Sequence, residues 1–241
     1  MPFVHGKGTR VLFDGIDVSA WLTGVDYSVS NDLSDVTTFQ KNWKVFWPGL
    51  NSGGVSMTGI QDASMQTLRN AVLDATDNVL TWSPQGLTTL AEMAHLIAVA
   101  DNSYKESMPV GGMVLFDWQA MADEAVGSYG QVYHPLAAET ITGTSAFVAR
   151  DVAGASLTGA VAHLHVTALA GTTPTLVVKF SDATTSGGAY TDIVGGAFTS
   201  VNAVGGYRLV IPGTIREFVK CTWTIAGTTP SFTFAVAMAR T

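Results

Sequence analysis

Cysteine and long apolar runs are nearly absent from this sequence of 241 residues. The single cysteine, Cys221, excludes an intramolecular disulfide framework and fits folding in a reducing cytoplasm. Apolar runs such as 96–100 fall far short of the roughly 18 to 20 residues that cross a bilayer. No apolar stretch follows Lys7 and Arg10, so we expect neither a secretory signal nor a membrane partner. We interpret Cys221 as a small buried packing residue.

Charged residues are also scarce. They make up 13% of the chain, whereas roughly a quarter is usual, and the 47% of hydrophobic residues argue against disorder. Residues 1–142 hold 15 Asp and Glu against 6 Lys and Arg, a net charge of −9, and residues 143–241 hold 4 against 6, a net of +2, which sum to −7. The acidic half is not expected to grip nucleic acid through its phosphates. Such a charge-poor chain is expected to bury part of its surface against other subunits.

Sequence motifs of catalysis and cofactor binding are missing as well. The chain has no Gly-x-Ser-x-Gly elbow, no Walker A run and no Gly-x-Gly-x-x-Gly after a strand. His163 and His165 could offer two nitrogens to a metal, but no Cys, Asp or Glu stands nearby in sequence to complete a site. Two carboxylate pairs fit turns better than calcium loops: Asp14 with Asp17, and Asp32 with Asp35. We therefore predict no enzyme, no cofactor and no metal.

Two further segments could bind a ligand. The Gly-rich loop 184–188 lies between Asp182 and Asp192 and loosely resembles a sugar-binding loop, although a flexible hairpin connection explains it better. The aromatic residues within 43–47 could stack on bases or sugars. Aromatic side chains are also enriched in cores and in subunit contacts, which is the interpretation that we favour.

Strand and turn signals dominate residues 1–142. Asp14-Gly15 predicts a two-residue hairpin between strands at 9–13 and 16–19. The aromatic segment 39–47 is predicted as a strand that Pro48-Gly49 ends with a turn. The other predicted strands are 25–30, 54–60, 78–82, 95–104 and 113–120.

One helix is predicted in this half. Asp62 can serve as its N-cap, and four apolar residues follow at helical spacing: Met65, Leu68, Ala71 and Val72. The segment 88–92 stays open to a helix, because its residues favour one by propensity.

Residues 143–241 form a regular series of short β segments separated by Gly, Thr, Ser and Pro. The predicted strands are 146–150, 157–168, 175–181, 189–194, 207–211, 218–225 and 231–237. The composition changes at 130–143, which predicts a domain boundary near residue 142. The predicted fold class is mostly β: an N-terminal β-sandwich or half-barrel with one α-helix in 1–142, and a C-terminal β-sandwich, Ig-like or jelly-roll, in 143–241.

The order of short motifs in residues 8–135 resembles the tail-tube family of siphophages, the long-tailed bacteriophages. The motifs are a strand with an Asp-Gly turn, VLFDGIDVSAWL at 11–22, then VDYSVSNDLSDVTTFQKNWKVFWPGL at 25–50, then PVGGMVLF at 109–116. The matching positions are Asp14, Gly15, Asp17 and Ser19, then 35–39, 48–50 and 54–60. The predicted helix at 63–74 falls in the expected order.

The resemblance implies a major tail tube protein that assembles as stacked hexameric rings. In that family the inner strands of six subunits join into one barrel, whose lumen conducts DNA during ejection without specific binding. The long loop, here 31–53, reaches a neighbouring subunit or ring. The implied inter-subunit contacts are Asp35, Thr37, Phe39, Trp43, Phe46 and Trp47.

The resemblance also implies partners and a place. Tape-measure and tail-terminator proteins would join the tube, which would lie in the virion tail after assembly in the host cytoplasm. Residues 143–241 are similar to surface-exposed decoration domains, for which weak binding to host-surface glycans is suggested. Two alternatives stay open: a phage adhesin or carbohydrate-binding surface module, and a capsid decoration protein.

Overall fold

The computed structural model describes residues 6–61, 68–70, 78–123, 128–151 and 154–240. The fold is mostly β, as predicted, with one short 3-10 helix at Gly6–Gly8. Only 68–70 of the predicted helix is described, and it is helical; Asp62, Met65, Ala71 and Val72 lie outside the described residues. The strands are β1 (Arg10–Phe13), β2 (Ile16–Asp17), β3 (Leu22–Asp35), β4 (Phe46–Ile60), β5 (Asn78–Ser83), β6 (Met93–Ser107), β7 (Leu115–Ala122), β8 (Ser128–Glu139), β9 (Gly143–Thr144), β10 (Val148–Ala149), β11 (Ala160–Ala183), β12 (Thr191–Ala197), β13 (Gly205–Ile211) and β14 (Phe218–Arg240).

The chain divides into two compact units. Unit 1 comprises 1–20, 78–97 and 128–241, and unit 2 comprises 21–77 and 98–127. The division predicted near residue 142 does not coincide with this one, because β8 pairs with β14 along Phe232–Met238 and so belongs with the C-terminal strands. The separate roles predicted for 1–142 and 143–241 stay predictions.

Unit 1 is built on a sheet with the order β12-β11-β14-β8-β6-β5-β1-β2. The predicted Asp14-Gly15 hairpin is confirmed: β1 and β2 pair antiparallel through Phe13 and Ile16. Both turn residues have positive φ, 43° and 77°, which the mirror-image hairpin turn requires. Asp14 also fixes the hairpin against β5, because its Oδ1 accepts a hydrogen bond of 2.8 Å from the Val79 amide.

The two longest strands, β11 and β14, pair with each other along their whole length. The pentapeptide Ala-Gly-Thr-Thr-Pro occurs in both, at 170–174 and 226–230, and the two copies lie opposite each other in the pairing. The register shifts there, and Thr173 and Thr229 each have a φ of 48°. Such irregularities bend a strand without ending it. The strand ends predicted at these Gly and Pro residues are therefore wrong.

The bend folds both strands back over the core of unit 1. Trp223 and Phe234 lie eleven residues apart, which would separate them by roughly 36 Å along a straight strand, yet their ring centroids are 6.1 Å apart. One pair of strands thus supplies both layers of a sandwich, with strands that cross from one layer to the other at a corner. Cys221 lies in this core, fully buried as predicted, and burial raises the pKa of its thiol.

Unit 2 is a four-stranded antiparallel sheet with the order β3-β4-β7-β6, the last through residues 98–107 of β6. Its strands alternate as half-buried strands do. Val55, Met57 and Trp118 are buried, whereas Thr58 and Gln119 on the opposite face are exposed. The predicted strand 95–104 is confirmed within β6.

The segment 88–92 is a turn and not a helix. The carboxylate of Glu92 accepts hydrogen bonds from the amides of Thr88 and Thr89, at 2.9 and 3.1 Å. The first turn of a helix leaves its backbone amides without partners. Here the Glu92 carboxylate pairs two such amides within the turn itself.

Candidate assembly surface

The far halves of β3 and β4 leave the four-stranded sheet together as a two-stranded arm. We define the arm as residues 29–52, which comprise the end of β3, a turn at 36–45 and the start of β4. Every residue from 29 to 52 is exposed. The β3–β4 pairing continues to Asp35 and Phe46, so this segment is a paired ribbon and not the long loop that was predicted.

All six residues predicted to contact another subunit lie on this arm. Asp35 ends β3, Phe46 and Trp47 begin β4, and Thr37, Phe39 and Trp43 lie in the turn between them. Their aromatic rings are in water: the exposed fractions are 101% for Phe39, 84% for Trp43 and 69% for Trp47. The sequence did not single out Leu33 and Leu50, which add further exposed apolar surface to the same ribbon. In the sequence, the only indication that Leu33 and Leu50 belong to this surface was their position close to the aromatic residues.

Asp35 and Thr37 hold the end of the arm in shape. The carboxylate of Asp35 accepts hydrogen bonds from the amide and the hydroxyl of Thr37, and these bonds lower the pKa of Asp35. The Thr37 hydroxyl oxygen in turn accepts a bond of 2.9 Å from the Val45 amide. These two residues therefore organise the turn, and the aromatic rings supply the apolar surface.

The turn predicted at Pro48-Gly49 is wrong, because both residues lie inside β4, where Pro48 pairs with Leu33. Proline lacks an N–H and is tolerated in a strand only where that edge has no partner. Among the described residues, this part of β4 has only β3 beside it. The β3–β4 register also shifts between Asn31 and Leu33, beside Pro48, so the proline lies at an irregularity of a ribbon whose outer edge is free.

One edge of the unit 2 sheet lacks a strand partner among the described residues. At that edge β3 pairs with β4 alone, whereas β6 at the other edge pairs with β7 along 99–107 and also has β8 and β5 as neighbours. Open edges present rows of backbone donors and acceptors to which another chain can pair. Apolar exposed side chains and an open edge thus occur in the same unit.

A second exposed apolar segment connects β6 to β7. We call residues 108–114 the β6–β7 turn. Val110 is 107% exposed and Met108 is 68% exposed, and Met113 is exposed as well. This segment contains no charged residue.

His163 and His165 lie in unit 1 and join β11 to β5 through one hydroxyl group. Thr81 Oγ1 lies 2.9 Å from His163 Nδ1 and 2.9 Å from His165 Nε2. His165 Nδ1 accepts a bond of 3.3 Å from the Gly15 amide, so Nε2 carries the proton and donates to Thr81, whose hydroxyl donates to His163. The described residues contain no cluster of three metal-ligating side chains. Both histidines therefore hold β11 against β5 through hydrogen bonds.

Because both rings are buried as neutral groups, we expect acid to destabilise the protein. Burial lowers the pKa of His165 to about 3, and burial, then His165 and Arg208, lowers that of His163 well below its usual value. Below about pH 6.5 the unfolded chain takes up protons that the folded chain refuses, so stability falls as the pH falls. Each histidine contributes roughly 1.4 kcal/mol per pH unit. Denaturant unfolding of His165→Gln between pH 6.5 and 4.5 should show a shallower slope.

Asp14→Asn is the control of opposite sign. Burial raises the pKa of Asp14 to about 6, against the opposing effect of its Val79 hydrogen bond. The folded chain therefore binds a proton before the unfolded chain does, and this contribution stabilises the protein as the pH falls from 6 towards 4. Removing the carboxyl should steepen the loss of stability in acid. Equal slopes in all three proteins would contradict the assignment.

The carboxylates beside the Gly-rich loop 184–188 are already engaged. Asp182 accepts hydrogen bonds from the amide and Nε of Arg216, both at 2.8 Å, and Asp192 lies 2.8 Å from Lys179 Nζ. The two carboxylates that made the loop resemble a sugar-binding loop are thus accounted for by two ion pairs.

In the described part of the chain, no helix has the length and apolar character to span a membrane.

No protein-family model matches the sequence, and no curated protein matches it. Among solved structures, the chain is similar to a component of the virion of a native gene transfer agent particle, at 15% identity over 52% of this chain and 97% of that one, with a TM-score of 0.41. It is similar to the SPP1 tail tube protein at 14% identity over 52% and 78%, with a TM-score of 0.42. It is also similar to the SPP1 Dit protein at 12% identity over 96% and 98%, with a TM-score of 0.36.

Proposed function

We propose that this chain is a structural subunit of the tail tube of a long-tailed bacteriophage, which assembles with its own copies into stacked hexameric rings. The observation that carries the proposal is the arm, on which every residue is exposed, including four aromatic side chains. An isolated protein rarely exposes so large a continuous apolar surface unless it binds a partner. The order of the motifs in residues 8–135, which resembles that of the tail-tube family, also supports the proposal.

The open edge of β3 in unit 2 supports a ring. If β3 of one copy pairs with residues 98–107 of β6 in the next, the contact joins two different surfaces and repeats around an axis. Closure of such a ring turns six separate sheets into one barrel and leaves no free edge. Each copy would then contribute four strands to the wall.

The exposed face of the same sheet suits a DNA channel. It carries Asp26, Ser28, Thr58 and Gln119, and Lys105 is the only cation on the four strands. Hydroxyl, amide and carboxylate groups do not neutralise phosphates, so DNA would pass without being bound. Tape-measure and tail-terminator proteins would meet the ends of this tube in the virion. Residues 143–241 would decorate its outside, with weak glycan binding as their suggested task.

The test is assembly of the purified chain. At high concentration we expect negative-stain microscopy to show rings or tubes with a central channel. Persistent monomers under these conditions would overturn the proposal.

The arm gives a sharper version of the test. We expect Trp43→Ala with Trp47→Ala to raise the concentration needed for assembly by roughly 30-fold or more, because a truncated aromatic hot spot costs about 2 kcal/mol or more. Both residues are exposed, so the melting temperature of the unassembled chain should stay unchanged. Val194→Ala, which truncates an exposed side chain in unit 1, is the control and should assemble as the parent does.

A further inference from the structure

Unit 2 carries its two exposed apolar segments at opposite ends of one sheet. The pairings of Ile60 with Leu115 and of Ser107 with Leu115 place the β6–β7 turn at one end. The pairings of Gly54 with Met121 and of Val99 with Ala122 mark the other end, beyond which the arm continues alone. The arm and the turn therefore point away from each other along the strands.

We propose that the arm of one copy docks on the β6–β7 turn of a second copy, which makes this head-to-tail contact the junction between successive rings. The proposal rests on the proposed function and names the receptor of the arm. Because the arm and the β6–β7 turn lie at opposite ends of the sheet, they cannot contact each other within one molecule. Repeated between copies, such a contact has no natural end and builds an open stack.

The chemistry of the two surfaces is complementary. The arm presents rigid rings, Phe39, Trp43 and Trp47, and the turn presents two flexible thioethers, Met108 and Met113. Methionine adapts its shape to irregular apolar surfaces, and its sulfur packs favourably against aromatic edges. The turn has no charged residue that would have to be desolvated on contact.

The size of the arm is adequate for a stable contact. Aromatic side chains bury roughly 150 to 250 Å² each, so the four rings of the arm, with Phe46, offer on the order of 600 Å² at their exposed fractions. Leu33 and Leu50 extend the surface. A standard interface buries about 800 Å² on each partner, so the arm accounts for most of one side.

Blocking each surface separately distinguishes this arrangement from others. We would express Trp43→Glu, which blocks the arm, and Val110→Glu, which blocks the turn. Alone, each variant should stop at single rings, with the concentration needed for stacking raised at least about 30-fold. Mixed, they should form pairs of rings joined by one junction and nothing longer, because each variant keeps one intact surface. Val194→Glu is the matched control and should stack fully.

Cross-linking tests the contact itself. Cys221 is buried, so the background reaction is low. Trp43→Cys in one copy and Val110→Cys in another should be joined between chains by a short bismaleimide, whereas Trp43→Cys with Val194→Cys should not. Sedimentation velocity and denaturing gels give the two readouts.

The outcomes separate the two proposals. If Val110→Glu stacks like the parent and no cross-link forms between positions 43 and 110, the receptor is wrong while the tube proposal stands. If Val110→Glu stacks normally and two Trp43→Cys copies cross-link to each other, the arm instead contacts another arm, and the head-to-tail junction is overturned. If the parent chain does not assemble at all, both proposals fall.

Discussion

Replacing Gly15 with alanine is expected to destabilise the protein by about 4 kcal/mol. A Cβ at this position would lie 2.5 Å from the Val166 carbonyl oxygen and 2.6 Å from the Gly205 amide nitrogen, both backbone atoms that cannot rotate away. The residue also has a φ of 77°, which costs an alanine about 1 kcal/mol. Overpacking adds up to about 3 kcal/mol. Thermal unfolding should show a melting temperature lower by roughly 8 to 16 °C.

Gly213→Ala is the matched control. Its φ of 85° is as unfavourable for a side chain, but a Cβ there would meet nothing within 4 Å. It should lose only about 1 kcal/mol, the cost of the backbone conformation. Equal losses in the two variants would show that close packing of the β1–β2 turn on β11 and β13 contributes nothing.

Asp182→Ala is expected to cost about 3 kcal/mol of unfolding free energy. The carboxylate is 6% exposed and accepts two hydrogen bonds from Arg216, from the amide and from Nε, both at 2.8 Å. Nη2 of Arg216 lies 2.7 Å from the same carboxylate and completes the ion pair. Removal of the carboxylate leaves a buried amide without an acceptor and a guanidinium without a counter-charge. Arg216 remains about a third exposed, so water compensates part of the loss and keeps the figure at the lower end for such pairs. Denaturant unfolding of the purified variant measures it.

Asp192→Ala removes a neighbouring ion pair of similar length, 2.8 Å to Lys179, but at the surface. Asp192 is 64% exposed, so its loss should cost less than about 0.5 kcal/mol. A large effect at Asp192 and a small one at Asp182 would reverse the assignment of the buried pair.

Local signals predicted the parts of the fold that local chemistry controls. Asp14-Gly15 forms the hairpin turn because few other residue pairs accept positive φ at both positions. Cys221 is buried because the alternation around it follows the period of the strand. Most of the predicted strands coincide with observed ones for the same reason.

The errors share one physical cause, which is the neighbour across the sheet. Pro48-Gly49 has the composition of a turn but lies within a ribbon whose outer edge is free. The Gly and Pro residues of the repeated pentapeptide look like strand ends, yet each copy bends against the other and β11 and β14 continue. The repetition itself was a signal that the two segments form matching parts of one corner.

The arm shows the same limit at the candidate site. Its aromatic residues could be selected from the sequence, because tryptophan and phenylalanine cluster within 39–47. Composition could not decide between a core and an exposed contact, since both are rich in aromatics. Composition also could not show that a second exposed apolar segment, more than 50 residues away, lies at the other end of the same sheet.

The sequence alone determined a charge-poor, mostly β chain with no recognisable catalytic motif, because composition and strand period are local properties of the residues. The tertiary structure decided the rest: which strands bend and continue, that the aromatic residues of the arm stand in water, and that two apolar segments occupy opposite ends of one sheet. These features depend on pairing between residues distant in sequence, which no local pattern specifies.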